Sequence, residues 1–327
     1  MSQITKTRIT ELLQTLRERK VLVLGDVMLD EFVWGDVTRI SPEGPVPVVD
    51  VRRESVHLGG AANVLANLIS LGARGWVVGV VGNDPAGERL RSELRQLNSG
   101  DDGGVIVDDT RRSTTKTRIV AHNQLVVRAD RESRAPVEGK LAAQIVARLR
   151  ELLAEADAFV VSDYDKGVVT PAILREILPF AYEGVPVLID PKLRNFNSYR
   201  PATLITPNHL EALRMSDTED HSDDGSHEAA RIIQQKLGCD AVLITRGDRG
   251  MMLLEAGGEP VYVKTAAREV YDVTGAGDTV IAALAAALAS GATMLEAATL
   301  ANHAAGIVVG KVGTATATAD ELIATFK

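Results

Sequence analysis

Short apolar runs alternate with amphipathic segments along most of the chain. Segments with helical spacing include residues 61–71, residues 140–154 and the segment that opens with Thr170-Pro171. Between such segments lie short runs that are almost wholly apolar, as is typical of strands buried on both faces: residues 21–24, 159–162, 187–190 and 242–245. The alternation predicts an α/β fold with a mostly parallel central sheet and helices on both faces.

Two segments interrupt this alternation, at about residues 32–58 and 105–130. Both consist of short β-like stretches without a helical pattern, and prolines and glycines punctuate the first of them. They predict a small β-sheet inserted into a single domain that spans residues 1–327. Because ligands of α/β folds bind at the carboxyl ends of the parallel strands, we expect this small sheet to act as a lid over that edge.

Composition and charge narrow the classes of function. The 327 residues carry a formal net charge of −8, which argues against a general binder of nucleic acid or membrane surfaces. The one cysteine, Cys239, excludes an intrachain disulfide and a multi-cysteine metal site and fits a reducing compartment. The polar, amphipathic first 20 residues lack the apolar core of a signal peptide, so we expect a cytoplasmic protein.

The run from Asp272 to Thr279 carries the strongest chemical signal. The turn Gly275-Ala276-Gly277 precedes Asp278 and an apolar helical segment. Glycines let an anion approach backbone N–H groups, and a helix N-terminus adds unsatisfied donors at the same place. A carboxylate beside such an anion site makes sense if it accepts a proton from a hydroxyl that attacks a phosphoryl group. The run therefore predicts a phosphoryl-transfer centre.

Simpler interpretations of this run exist. An isolated Gly-x-Gly-Asp is more often a turn and a helix cap than a catalytic site. A dinucleotide-binding fingerprint needs a third glycine where Val280 stands, which argues against an oxidoreductase. A Walker A loop has the wrong spacing here, since Lys311 follows Gly306 too closely and precedes Val312. The phosphoryl-transfer interpretation depends on companion motifs elsewhere in the chain.

Polar residues at predicted strand ends form the first companion set. Asp26 and Asp30 follow the first strand, and Gly59, Gly60 and Asn63 open the next helix. Carboxylates and amides recognise sugar hydroxyls, while paired glycines leave room for a ligand against the backbone. Each feature alone is equally well explained as turn chemistry, but together they favour a polyol site.

A second set suits a nucleotide with magnesium. Asn208 and Glu211 share one helix face after a strand, and an amide with a carboxylate at this spacing fits hydrated Mg²⁺. A helix cap with an exposed glutamate is the simpler alternative for this pair. Thr245, Gly247 and Gly250 close another strand and could lie over a nucleotide, although a plain turn explains them as well.

Basic residues group in and near the second β segment. Most of them are expected to be solvated, but in an acidic protein the grouping favours an anionic substrate. We select Lys116, Arg128 and Lys192 because each lies in the lid or beside a strand end and none lies on a helix face.

Taken in order, these motifs resemble those of the ribokinase-like (PfkB) family of sugar kinases over nearly the whole chain. Gly59-Gly60-Ala61-Ala62-Asn63 and the run 272–278 are similar to its two signatures, and Asn208-His-Leu-Glu211 is similar to its magnesium motif. Within the family, residues 25–32, 40–49, 162–167 and 190–192 are most similar to kinases of D-glycero-β-D-manno-heptose 7-phosphate. One departure is Gly44, where that group is expected to have alanine.

The resemblance implies an ATP-dependent kinase that phosphorylates the anomeric hydroxyl of that heptose phosphate, for ADP-heptose and lipopolysaccharide synthesis. It implies Asp278 as general base and the amides of Gly275, Ala276 and Gly277 around the transferring phosphoryl group. It places Asn302 near ATP, together with Asn208, Thr245, Gly247 and Gly250. It also implies a K⁺ ion near Asp272 and Thr274.

Three questions stay open at this point. Another phosphosugar, of the fructose or tagatose phosphate type, is an alternative substrate. A non-catalytic sugar sensor is an alternative function, although an intact Asp278 speaks against it. A lid with exposed edges favours a homodimer through the lid.

Overall fold

The structure is a computed structural model that describes residues 4–98, 101–102, 104–122, 124–267 and 269–326. The strands of its largest sheet are β1 (Lys20–Gly25), β4 (Arg74–Val78), β9 (Ala158–Ser162), β10 (Val187–Asp190), β11 (Leu204–Ile205), β12 (Ala241–Thr245), β13 (Met251–Glu255) and β14 (Val261–Val263). The remaining strands are β2 (Val27–Ile40), β3 (Pro47–Gly60), β5 (Val80–Gly82), β6 (Ile106–Asp108), β7 (Thr114–Ala121) and β8 (Gln124–Arg131).

The helices fall between the strands as the alternation predicts. They are α1 (Lys6–Leu16), α2 (Ala61–Leu71), α3 (Pro85–Leu97), α4 (Gly139–Leu153), α5 (Pro171–Tyr182), α6 (His209–Ser216), α7 (Asp223–Leu237), α8 (Ala276–Ala289), α9 (Met294–Val308) and α10 (Ala319–Ala324).

The central sheet has the order β14-β13-β12-β11-β10-β9-β1-β4. The pairings from β12 to β4 are parallel, and the two pairings at one edge, β12–β13 and β13–β14, are antiparallel because β13 runs opposite to the other strands. This confirms the expected ribokinase-like α/β architecture with a mostly parallel sheet. The carboxyl ends of β1, β9 and β10 are neighbours, so residues that follow these strands meet at one edge.

Alternating residues of β1 show why its sequence is continuously apolar. Val21 and Val23 pack in a core with α1, α2, α8 and α9, whereas Leu22 and Leu24 pack in a second core with α4 and α5. All four side chains are fully buried. Helices therefore cover both faces of the sheet, which leaves no polar face in the strand.

A separate four-stranded sheet, called here the small sheet, has the order β3-β2-β7-β8. The long hairpin of β2 and β3 pairs antiparallel, and β7 joins β2 in parallel. The small sheet begins directly after β1, because only Asp26 separates the two strands. That short connection keeps the small sheet beside the carboxyl edge of the central sheet.

The segment after α2 is divided between β4, in the central sheet, and β5, outside it. One strand expectation differs from the structure. The strand expected near residue 106 in the small sheet is β6, which pairs instead with β5 in a two-stranded sheet. Such short strands carry too few residues for their partner to be read from local pattern. Among the described residues no helix has the length and apolarity needed to cross a membrane.

Candidate active site

Asp278 lies in the first turn of α8, where the carboxyl edge of the central sheet meets the small sheet. It is 2% exposed. Its Oδ2 accepts a hydrogen bond from Asn63 Nδ2 at 2.8 Å, and its Oδ1 accepts one from the Tyr164 hydroxyl at 2.6 Å. Burial raises the pKa of Asp278 to about 6, against the lowering effect of these hydrogen bonds and of the Lys116 charge. The carboxylate is thus oriented on both oxygens and suited to accept a proton near neutral pH.

The glycine turn before Asp278 makes the backbone accessible. Gly275, the N-cap of α8, has a φ of 78°, which disfavours any residue with a Cβ. A Cβ on Gly275 would also lie 2.7 Å from Asn63 Nδ2, whereas one on Gly277 would meet nothing within 4 Å. Since the first N–H groups of a helix have no intrahelical acceptor, this open first turn can receive an anion.

Asp26 has a different environment from the one expected for a sugar ligand. It is 1% exposed, and its carboxylate accepts the backbone N–H groups of Tyr164, Lys166 and Val168 at 2.9, 3.1 and 3.0 Å. These bonds hold the loop after β9 in place. In this structure Asp26 positions the backbone that carries Tyr164, and its oxygens are engaged by the protein itself.

The face of the small sheet towards Asp278 carries opposite charges. Asp30 forms an ion pair with Arg118, and cross-strand register aligns Asp30 with Lys116 and Arg118 with Arg128. Burial lowers the pKa of Lys116, although the Asp30 charge opposes the effect. Arg128 is about half exposed and pairs with Asp130 at 2.9 Å. The structure therefore brings Lys116 and Arg128 onto one face, with Arg118 as an additional cation that was not selected from the sequence.

Gly59 allows this face to approach its neighbours closely. A Cβ on Gly59 would collide with the Asp30 carboxylate and with Met28. Gly60, the next residue, is the N-cap of α2 and thus leads directly to Asn63. The paired glycines consequently bring the Asp30 carboxylate and the start of α2 to the same region.

Asn208 and Glu211 form a reciprocal capping box at the start of α6. Asn208 Oδ1 accepts the N–H of Glu211 at 2.9 Å, and Glu211 Oε2 accepts the N–H of Asn208 at 3.1 Å. The other oxygen of Glu211 forms an ion pair with Lys192. The simpler alternative, a helix cap, is therefore present in the structure, and the ion pair adds the Lys192 cation to it.

Asp190 adds a buried carboxyl group to the acidic residues at this end of the site. Burial, together with the nearby carboxylates of Glu211, Asp278 and Asp163, raises the pKa of Asp190 to about 8, although Lys192 opposes the shift. Burial alone would lower the pKa of Lys192, but Asp190 and Glu211 raise it. Carboxyl and amide oxygens are ligands that suit a hydrated Mg²⁺ ion. No group of three or more His, Cys, Asp or Glu residues suited to a metal occurs among the described residues.

A cavity of about 320 Å³ lies beside the glycine turn. Its lining is mostly apolar, as is common for pockets that bind a flat ring. Asn302, which also lines it, donates from Nδ2 to the carbonyl of Lys264 at 2.7 Å. Four of the five residues expected near ATP line this cavity together with two residues of the glycine turn: Thr245, Gly247, Gly250, Asn302, Ala276 and Gly277. The fifth, Asn208, is not part of its lining.

Asp272 joins two loops next to the turn. Its Oδ1 accepts the N–H of Thr274 at 2.9 Å, and its Oδ2 accepts the N–H of Gly313 at 3.0 Å. The expected K⁺ ion near Asp272 and Thr274 stays a prediction.

The sequence reasoning did not assign Tyr164 or Asp190 a role. Both lie at the carboxyl ends of neighbouring strands, β9 and β10, in segments with several charged residues. Their position after parallel strands was the sequence signal that could have identified them as candidate site residues.

Comparisons with known proteins agree with this geometry. Residues 18–321 match the pfkB family carbohydrate kinase. The bifunctional protein HldE of Pelobacter propionicus is 44% identical over 316 residues, which are 96% of this chain and 64% of the relative. The HldE protein of Caulobacter sp. (strain K31) is 49% identical over 305 residues, or 93% of this chain and 62% of the relative. The chain thus spans less than two thirds of the length of these relatives.

Solved structures share the fold. Phosphofructokinase-2 from Escherichia coli, in complex with substrates and products, superposes with a TM-score of 0.78 at 18% identity, covering 94% of this chain and 98% of that chain. Arabidopsis thaliana ribokinase, complexed with ribose and ATP, gives 0.73 at 18% identity, with coverage of 94% and 99%. At such identities the likeness shows the fold alone.

Proposed function

The chain belongs to the pfkB family of carbohydrate kinases, and we propose that it transfers the γ-phosphoryl group of ATP to the anomeric O1 of D-glycero-β-D-manno-heptose 7-phosphate. The observation that carries the proposal is the buried Asp278 carboxylate beside an open helix N-terminus. The heptose follows from the resemblance of several segments to heptose-phosphate kinases and agrees with the HldE relatives. The product would be the 1,7-bisphosphate, used for ADP-heptose and lipopolysaccharide core synthesis.

Asp278 is the general base in this proposal. As O1 attacks the γ-phosphorus, its proton passes to the Asp278 carboxylate, the O1–P bond forms, and the bond between the γ-phosphorus and the bridging oxygen breaks to release ADP. Asn63 and Tyr164 hold the carboxylate in one orientation during this transfer. Such positioning contributes much of the catalysis in phosphoryl transfer.

The backbone of the glycine turn stabilises the transferring group. The N–H groups of Gly275, Ala276 and Gly277 lie at the positive end of α8, where negative charge is favoured. ATP occupies the adjoining cavity, with Thr245, Gly247, Gly250 and Asn302 in its wall. The cavity and the turn share Ala276 and Gly277, so a nucleotide there has its phosphates beside Asp278.

The small sheet acts as the lid and binds the sugar phosphate. Lys116 and Arg128 attract its 7-phosphate, and Asp30 and Asn63 receive sugar hydroxyls beside Gly59 and Gly60. Lys192, in the loop after β10, serves the transferring phosphate, and Asp190 and Glu211 keep it charged because they raise its pKa. Asp26 supports this arrangement through the loop after β9.

Asn208 and Glu211 would hold the hydrated Mg²⁺ ion that accompanies ATP, with Asp190 beside them. The ion would neutralise phosphate charge when bound. The chain's own contribution is the Lys192–Glu211 ion pair, which places a cation at this carboxylate.

The deciding experiment is ATP-dependent ADP release with D-glycero-D-manno-heptose 7-phosphate, fructose 6-phosphate and ribose in parallel. The Asp278→Asn variant serves as the blank for contaminating kinases. A strong preference for the heptose phosphate supports the substrate. Equal or faster turnover of another sugar would retain the kinase and reject the heptose, while no turnover of any sugar would reject the proposal.

We also propose a homodimer through the small sheet. All eight residues of the edge strand β8 are exposed, and apolar side chains project from this sheet: Ile40, Val51, Leu125 and Val127 are each at least 49% exposed. An uncovered edge of this length is typically paired or protected. Light scattering should give a molar mass twice that of the chain. The Leu125→Asp variant should give the mass of a single chain. A monomeric wild-type protein at assay concentration would reject the dimer.

A further inference from the structure

The hydroxyl of Tyr164 contacts the proposed base directly. It donates to Asp278 Oδ1 at 2.6 Å, a short distance typical of a hydroxyl that donates to an ionised carboxylate. Asp278 is buried, so little water competes for this oxygen. The contact joins the loop after β9 to the N-terminus of α8, which are separate elements. It is therefore part of the tertiary structure at the reacting end of the site.

Several buried groups fix the loop that carries Tyr164. The Asp26 carboxylate accepts three of the loop's backbone N–H groups, including that of Tyr164 itself. Asp163 accepts the N–H of Asp165 at 2.7 Å, and a Cβ on Gly167 would collide with the carbonyl of Ala135. Burying the Asp26 carboxylate is unfavourable, as the rise of its pKa to about 6 indicates. The unfavourable burial of this carboxylate is thus part of what holds the loop, and the Tyr164 phenol that it carries, in one position.

The ring of Tyr164 also has charged neighbours. Lys116 Nζ lies 5.2 Å and Lys192 Nζ 5.7 Å from its centroid, within the range of cation–π attraction. A phenylalanine would keep the ring and both of these contacts. Replacement of Tyr164 by phenylalanine consequently removes the hydrogen bond to Asp278 and little else.

We infer that Tyr164 is a positioning residue that fixes the Asp278 carboxylate and sets its proton affinity through the hydroxyl-to-Oδ1 hydrogen bond. A donor to the ionised form stabilises that form, so the bond keeps a buried carboxylate available as a base at neutral pH. The phenol keeps its own proton throughout, and the proton from the sugar hydroxyl goes to Asp278. The inference rests on the proposed function, since it assumes that Asp278 is the base.

The pH dependence of kcat/KM separates this role from a structural one. In Tyr164→Phe the acid limb of the profile should move to higher pH by about one unit, because the lost bond favoured the ionised base. Activity lost at neutral pH should then return at alkaline pH. Tyr182→Phe is the matched control: it also removes a tyrosine hydroxyl bonded to an aspartate, Asp240, at 2.9 Å on the surface. Its profile should stay unchanged. An equal loss at every pH in Tyr164→Phe would overturn the inference.

A titration without substrate tests the contact independently of the reaction. Carboxyl ¹³C NMR of aspartate-labelled protein, with Asp278 assigned by its loss in Asp278→Asn, should show a higher pKa for Asp278 in Tyr164→Phe than in wild type. Such a shift in a protein without kinase activity would reject the proposed function and keep the contact. An active enzyme whose Asp278 titrates identically in both proteins would reject the inference.

A second variant covers the case in which Tyr164→Phe does not fold. Fluorinated tyrosine at position 164 keeps the hydroxyl and makes it a stronger donor, so the acid limb and the Asp278 titration should both move to lower pH. Movement in the opposite direction, or none, would overturn the inference.

Discussion

Asn63 and Asp278 are 215 positions apart in the chain and share a hydrogen bond of 2.8 Å. Asn63 is itself fixed, because Asn67 Nδ2 donates to its carbonyl at 2.9 Å and Thr279 donates to Asn67 Oδ1 at 2.9 Å. The Asn63–Asp278 hydrogen bond and the hydrogen bonds of Asn67 together connect α2 to the first turn of α8. Two motifs that were recognised separately in the sequence are therefore one structural unit at the proposed base.

Asp278→Asn should abolish turnover with little effect on ATP affinity. The amide has nearly the same shape but cannot accept the sugar proton, and loss of a general base typically costs 10²–10⁴-fold in rate. A coupled assay measures kcat, and calorimetry measures ATP binding. Asp217→Asn, at an exposed left-handed position that asparagine tolerates, is the control. Turnover comparable to wild type in Asp278→Asn would remove Asp278 from the role of base.

Gly277→Ala should separate stability from catalysis. A Cβ at this position meets nothing within 4 Å, and alanine is favoured over glycine inside a helix by up to about 1 kcal/mol. The free energy of unfolding should therefore be unchanged or higher. In the proposed reaction a phosphoryl group approaches the backbone where this methyl group would lie, so we expect kcat/KM for ATP to fall by at least about tenfold, or 1.4 kcal/mol.

Gly184→Ala is the matched control, because Gly184 lies in a turn after α5 where the nearest atom outside its chain neighbours would be 3.9 Å from a new Cβ. This variant should change neither the free energy of unfolding nor kcat/KM for ATP by much. Full ATP-dependent activity in Gly277→Ala would contradict an anion site at this turn.

The larger features of the fold could be predicted because their signals are local. The apolar run of β1 requires helices on both faces, and the structure confirms them. The position of the site follows from the same rule, since Asp26, Tyr164 and Asp190 all lie at the carboxyl ends of parallel strands. Element type thus places these residues at one edge of the sheet before any coordinates are known, whereas the strand order that makes them neighbours comes from the structure.

The partner of each side chain could not be predicted in the same way. An aspartate after a strand suits a sugar hydroxyl and a backbone N–H equally well, and Asp26 takes the backbone. Glu211 satisfies both the magnesium pattern and a capping box, and only the structure reveals its ion pair with Lys192. The partner of each side chain depends on which groups tertiary packing brings within about 3 Å of it. Residue type alone does not encode that information.

Arg128→Gln should weaken binding of the sugar phosphate selectively. Arg128 lies beside Arg118 across the small sheet and is about half exposed, so its loss should raise KM for heptose 7-phosphate about tenfold with little change in kcat. KM for the unphosphorylated heptose should not change, because that sugar lacks the anion. Steady-state kinetics with both sugars measure the difference. Arg52→Gln, on the same sheet and paired with Asp36, is the control. An equal effect on both sugars would exclude Arg128 from phosphate recognition.

Asp190 should make stability depend on pH in a defined direction. Its pKa is raised from 3.8 to about 8, first by burial and then by neighbouring carboxylates. Between these two values the folded protein retains a proton that the unfolded chain loses, so the contribution of Asp190 to the free energy of unfolding falls as pH rises. Asp190→Asn mimics the protonated form at every pH and should remove this decline.

Urea unfolding from pH 5 to pH 8 measures the effect as a difference between variant and wild type. We expect Asp190→Asn to gain stability relative to wild type steadily as pH rises, whereas Asp217→Asn, exposed and remote from the carboxylate cluster, should show a constant difference. A constant difference for Asp190→Asn as well would mean that Lys192 keeps Asp190 ionised in the folded state. Asp190 and Glu211 would then carry two negative charges against the single positive charge of Lys192, which would strengthen the case for a cation there.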